Sequence, residues 1–162
     1  NYESVKGVST PGIVEPESAH EDDDDELLSS SDSSLYRACA ARCNFLGIDR
    51  PDIQYACKEI SRTMSKPTKG CMRKMHRLAR YLKQHPRAAF MYKHQRVPDM
   101  LTIYSDSNWA GCLRTRKSTQ GGGILFGQHC IKNWSTTQAI IALSSGEAEY
   151  YGVVKALSLI HI

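Results

Sequence analysis

Around Pro86 the spacing of apolar residues changes, and that change limits what the chain can build. Upstream, Leu35, Tyr36, Cys39, Ala40, Cys43 and Leu46 recur at three- and four-residue spacing, which predicts a helix with serines available as caps. A turn at "GIDRPDIQ" follows. Pro51 suits a first helical position, and Ile53, Ala56, Cys57, Ile60 and Met64 form a second stripe that ends before "SKPTKG". Pro67 opens a third helix, with Cys71, Met72, Met75, Ala79 and Leu82 inward and Arg73, Lys74, Arg77, Arg80 and Lys83 mostly outward. Met72 and Met75 read as core filler. Downstream the apolar segments are short: "FMYK", "MLTIYSD", "GGGILFG" and "CIKNWSTT", with Gly127-Gln128-His129 between the last two. A helix then begins near Ser144, so the predicted order is strand, strand, strand, helix. No G-K-[ST] follows Gly121–Gly123, so the glycines read as close strand packing or a bulge rather than a phosphate cradle.

The net charge of +4 hides a separation. From Asn1 to Ser34 there are ten acids against the single Lys6, and from Lys58 to Arg96 twelve Lys/Arg against the single Glu59. Residues 1–33 combine "TPG", "EPES", the acidic run Glu21–Glu26 and "SSSDSS". Like charges repel and few side chains can be buried, so this stretch reads as an acidic flexible linker. The basic stretch fits either a solvated helix face or a surface that favours polyanions. Six cysteines without a signal peptide and without a C-x-x-C pair read as reduced thiols, and their spacing with histidine makes no zinc ligand set. No apolar run approaches the ~18 residues of a membrane span.

Two acidic features carry chemistry. Asp106 stands at the end of an apolar strand in "IYSDSNWAG", where alternation places Ile103 and Ser105 on one face and Thr102, Tyr104 and Asp106 on the other. An aspartate there can form a turn or bind a ligand. Farther on, Ser144-Ser145-Gly146-Glu147 is S-x-x-E, a capping box in which Ser144 accepts from the N–H of residue 147 and Glu147 reaches back to the N–H of Ser144. That role accounts for Glu147 and leaves Glu149, whose neighbours Gly152, Val153 and Ala156 are small enough to pack against a sheet. A glutamate on that face needs a partner or a metal. Asp106 and Glu149 thus form a candidate pair of oxygen ligands for Mg²⁺.

The words "YSDSNWAG", "RKSTQGG" and "KNWSTTQAIIALSSGEAEYYG" together resemble the start of the ribonuclease H domain of Ty1/copia-type LTR retrotransposon Pol polyproteins. The stretch from "LYRACAARC" through "RPDI" and "SRTMSKPT" to "RYLKQ" resembles the segment joining that domain to the reverse transcriptase, and "KGVSTPG" resembles the tail of the polymerase region. The likeness covers about residues 34–156. It implies an α/β (α+β) chain in which a helical connection segment, 34–97, precedes the N-terminal part of a ribonuclease H-like domain, 98–156. The implied activity is cleavage of the RNA strand of an RNA–DNA hybrid by two Mg²⁺ ions, with Mn²⁺ as a substitute. Asp106 and Glu149 correspond to the family's first aspartate and helix glutamate. Arg73, Lys74, Arg77, Arg80 and Lys83 would touch phosphates without reading sequence. The implied partners are the hybrid and the rest of the Pol polyprotein, with no membrane, in a cytoplasmic virus-like particle or the nucleus.

Departures from the family bear on activity. Asn108 stands where many relatives carry a second acid, which leaves the first ligand untouched. The family's two remaining carboxylates follow this helix, on a later strand and helix, so this chain by itself is expected to bind Mg²⁺ weakly, to leave a sheet edge uncovered and not to cut hybrids. "LSLIHI", residues 157–162, is the translation of CTG TCT CTT ATA CAC ATC, a transposase end sequence used in library preparation, so these residues are expected to be adapter-derived rather than native from about Leu157. The rival reading is a non-catalytic nucleic-acid-binding or structural remnant, which metal-dependent cleavage by a completed domain would separate from the nuclease.

Overall fold

The computed structural model describes residues 5–13, 26–112 and 114–160. About half of the stretch expected to be a linker, including the run Glu21–Asp25, lies outside them, as do His161 and Ile162. The chain divides into two units, 1–89 and 90–162. Among the described residues, no helix is long and apolar enough to cross a membrane.

The first unit is three helices: α1 (Ser30–Leu46), α2 (Pro51–Ser61) and α3 (Lys69–Gln84). α1 begins inside the serine-rich stretch, because the Ser29 hydroxyl accepts from the Asp32 N–H and Asp32 complements the helix dipole. The stripe on α2 is buried as its spacing predicts, with Ile53, Ala56, Cys57 and Ile60 packed against Tyr36, Ala40, Met75 and Leu78. Leu78 is fully buried although the stripe read on α3 passed it over, while Leu35 is exposed and Leu46 partly so. The three-helix packing selects one narrow face of each helix, and single-helix periodicity leaves that face uncertain by about one residue. The Tyr36 hydroxyl donates to the Ile60 carbonyl at 2.7 Å, and burial pushes its pKa up to about 12.

Arg50 is buried beside this core and donates both to the Asp52 carboxylate, at 2.9 and 2.7 Å, and to the His85 carbonyl. Tyr81 donates to the same carboxylate. The Arg50 bonds hold the Asp52 carboxyl below its ordinary value, against the opposing effect of partial burial. A carboxyl depressed in the folded state stabilises fully above the unfolded value near ~4 and progressively less as pH falls through the folded value. The urea midpoint of the first unit should therefore fall as pH drops below about 4. Asp52→Asn should flatten that fall.

The second unit is an antiparallel meander, β1 (Leu101–Asn108), β2 (Thr119–Phe126) and β3 (His129–Thr137), followed by α4 (Ser145–Ser158). The chain is thus a mixed α/β protein with helices first and an incomplete ribonuclease H-like fold after them. β1 pairs with β2 from Leu101↔Phe126 to Asn108↔Thr119, and β2 pairs with β3 with an irregularity between Ile124 and Leu125. Alternation turns Ile103, Ser105 and Ser107 toward α4, where Ile124, Trp134 and Ala156 form the core, while Thr102, Tyr104 and Asp106 face the other way. Gly122 lies directly across from Trp134, and a side chain there would meet the indole and the Tyr104 carbonyl. Close packing and a nearby bulge both occur, as expected of the glycine run.

One segment differs from the sequence expectation. "FMYK" forms no strand. Residues 90–97 instead brace the β2–β3 turn: Tyr92 donates to the Cys130 carbonyl, Gln95 donates to the Phe126 carbonyl and accepts from the Gln128 N–H, and the His129 ring meets the Lys93 carbonyl. These residues therefore fall in the second unit, as the change of spacing at Pro86 suggests, whereas the resemblance grouped 34–97 as the connection segment. Leu157 and Ser158 extend α4 and Leu159 packs against its core, which bears on their conformation and not on whether residues 157–162 are native.

Candidate functional site

α4 fixes the site. Its cap is Ser144, whose hydroxyl accepts from the Glu147 N–H at 3.1 Å. Glu147 completes the box one residue upstream of the expected place: its Oε2 accepts from the Leu143 N–H, not from that of Ser144. Its other oxygen, Oε1, accepts from the Tyr151 hydroxyl at 3.0 Å. That bond raises the Tyr151 pKa, since a phenolate would face a carboxylate. Both oxygens of Glu147 are committed to local structure. Ser144→Ala should lower stability by about 1 kcal/mol in thermal unfolding, because the N–H it serves then has only water.

Glu149 points elsewhere. Its Oε1 accepts from the backbone N–H of Ser107 at 3.2 Å and from the Ser107 hydroxyl at 2.9 Å. It therefore meets β1 at the residue that follows Asp106. The close approach depends on Gly152, where a Cβ would lie 2.8 Å from the Ser105 hydroxyl oxygen. Gly152 and Ala156 are buried as expected, whereas Val153 is half exposed. A buried amide sets the height of the helix: Gln138 Nε2 donates to the Ala148 carbonyl at 2.8 Å and to Gln120 Oε1 at 3.1 Å. Ser107 and Gln138 were not read from the sequence. Alternation already put Ser107 on the α4 side with Ser105, which was the available signal; Gln138 sits in a connection with no periodicity to mark it.

Asp106 is exposed on the face turned from α4, opposite Gly121, and makes no hydrogen bond or ion pair among the described residues. Glu149 Oε2 likewise takes no bond there. The two carboxylates are thus carried by neighbouring points of one strand and helix, with their side chains approaching β1 from different faces. Among the described residues, no group of three His, Cys, Asp or Glu side chains is assembled to hold a metal. Two carboxylates match in chemistry the one or two protein oxygens that Mg²⁺ takes, but Asp106 and Glu149 lie on different faces of β1 and are not brought together in this structure.

The five α3 side chains expected to touch phosphates divide. Arg73 and Lys74 are exposed. Arg77 donates to the Thr10 hydroxyl at 2.7 Å, Arg80 to the Lys6 carbonyl at 2.7 Å and Lys83 to the Val5 carbonyl at 3.0 Å. The chain's own N-terminal residues therefore occupy three of the five.

Among curated proteins, the chain is 34% identical over 158 residues to the retrovirus-related Pol polyprotein from transposon RE1 of Arabidopsis thaliana, and 30% identical over the same length to that from transposon RE2. Each match takes in 98% of this chain. The chain belongs to the transposon Pol polyproteins. It spans about a tenth of the length of these two relatives, 10% of each. It is also 32% identical over 121 residues to an uncharacterized mitochondrial protein of Arabidopsis thaliana, a match covering 74% of this chain and 49% of that protein. No family model and no solved structure matches it. As a Pol segment, the chain carries its two candidate acids in the unit that follows the helical one.

Proposed function

We propose that this Pol segment joins a reverse transcriptase to a ribonuclease H, and that the ribonuclease H cuts the RNA strand of RNA–DNA hybrids with Mg²⁺ held by Asp106 and Glu149. The observation that supports this most is the division of labour on α4. Glu147 is bound on both oxygens to its own helix end, while Glu149 is held beside the residue after Asp106 with one oxygen unbound. The bonds from Ser107 orient Glu149, the role that outer hydrogen bonds play around metal ligands. Bound there, Mg²⁺ supplies charge that favours the attacking water and the departing oxygen of an in-line displacement. The cationic residues of α3, Arg73, Lys74, Arg77, Arg80 and Lys83, serve as phosphate contacts that hold the hybrid without reading its sequence.

The test is hybrid cleavage by the polyprotein stretch extended along its natural reading frame past residue 160, with Mg²⁺ and with the metal chelated. Cleavage that needs the metal supports the nuclease. Hybrid binding without cleavage at any Mg²⁺ concentration would overturn it in favour of a binding remnant.

A further inference from the structure

The segment from Val5 to Thr10 lies along the cationic side of α3. Its contacts are unusual in one respect: every acceptor it offers is neutral. Arg80 and Lys83 receive backbone carbonyls, and Arg77 receives a hydroxyl. The segment brings a further positive charge, Lys6, and no acid of its own. Arg77 is also incompletely satisfied, since its Nε is buried without an acceptor. A guanidinium can give two parallel hydrogen bonds to a phosphate, with opposite charge on the acceptor. The neutral segment can match neither property.

Arg77 and Arg80 face a second environment as well. With Arg73 they line a groove of about 420 Å³ whose apolar side is Leu28 and Met72. A phosphate chain entering that groove meets the same two guanidiniums that hold the segment.

We infer that Val5–Thr10 is a self-docked strap, and that the phosphate backbone of an RNA–DNA hybrid displaces it from Arg77, Arg80 and Lys83. This rests on the reading of α3 as a phosphate-contacting surface. The strap screens the groove from weak or short anions and yields to a long one, whose many phosphates release counterions together. Removing the strap raises affinity because binding no longer has to undock it. A strap seated roughly nine-tenths of the time weakens the apparent affinity about tenfold.

Two variants loosen the strap without altering a cation. At Gly7 a Cβ would lie 2.9 Å from Gln84 Cβ, so Gly7→Val lifts the segment. Thr10→Val removes the hydroxyl that Arg77 uses. The experiment is fluorescence anisotropy of a short labelled RNA–DNA hybrid with the full chain and each variant at one fixed salt concentration. Circular dichroism of each protein checks that the helices remain. The expected result is binding about tenfold tighter in both variants. Hybrid binding that is equal or weaker in both, with helices intact, overturns the displacement and leaves the strap a permanent part of the unit. Absence of hybrid binding by all three proteins removes the phosphate reading of α3 itself, and the displacement with it.

Discussion

Asp106→Asn lowers Mg²⁺-dependent hybrid cleavage by the extended polyprotein at least about a hundredfold, because loss of even an outer hydrogen bond at a metal site costs ~10–100-fold and this change removes a ligand charge. The side chain keeps its size and its place on β1, and Asp106 makes no bond among the described residues that asparagine would break. Its folded stability should hardly move. Glu149→Gln should lose activity on the same scale. The informative partner is Glu147→Gln, two residues away. That change weakens the cap and the bond to Tyr151, so the protein melts earlier, but cleavage by the folded fraction stays within a few fold of the parent. Single-turnover cleavage together with a thermal melt separates the three variants. Equal loss at 147 and 149 would sink the assignment of roles on α4.

The second large effect is on folding. Gly122→Val should leave the second unit mostly unfolded at physiological temperature. At residue 122 an added Cβ would lie 2.6 Å from Trp134 Cη2 and would also overlap the Tyr104 carbonyl oxygen. Neither neighbour can yield cheaply: one is ladder backbone, and the other is a packed indole only 8% exposed. Overpacking typically costs ~1–3 kcal/mol when side chains can adjust, and more when backbone must move. A domain of this size has about 5–10 kcal/mol in all. The adjacent Gly123→Ala is the control, since its Cβ would find the Lys132 carbonyl at 3.7 Å and Cys130 Sγ at 3.8 Å, ordinary contacts. Indole fluorescence of the two variants through a urea titration should show one early transition and one near that of the parent. A shared midpoint would mean that the sheet relaxes around residue 122.

What could be read from the sequence was whatever depends on neighbours a few residues apart. The α2 stripe, the alternation in β1, the Ser144 cap and the different directions of Glu147 and Glu149 all follow from spacing within one element. Features that need two elements at once were not legible. Leu78 is buried because three helices meet there, and no period in α3 alone singles it out. Ser107 was an unremarked serine until α4 brought Glu149 to it. The occupation of Arg77, Arg80 and Lys83 was hidden for the same reason, since their partners lie more than sixty residues earlier. Outward-facing charge read as open surface. Glu147 missed its expected partner by one residue because the angle at which the chain enters a helix decides which N–H a capping carboxylate can reach.

The brace at residues 90–97 bears on how such segments can be exchanged between elements. Gly127 turns with φ +61, and a Cβ there would crowd the Gln95 side-chain oxygen at 2.5 Å and Pro98 at 2.7 Å. The turn and the brace are thus shaped to each other although thirty residues separate them. A recombination joint at residue 98, the boundary that the family resemblance implies, would pair the turn of one parent with the brace of another. A joint between Pro86 and Ala89 would move them together, so chimaeras crossed there should stay soluble where those crossed eight residues later precipitate.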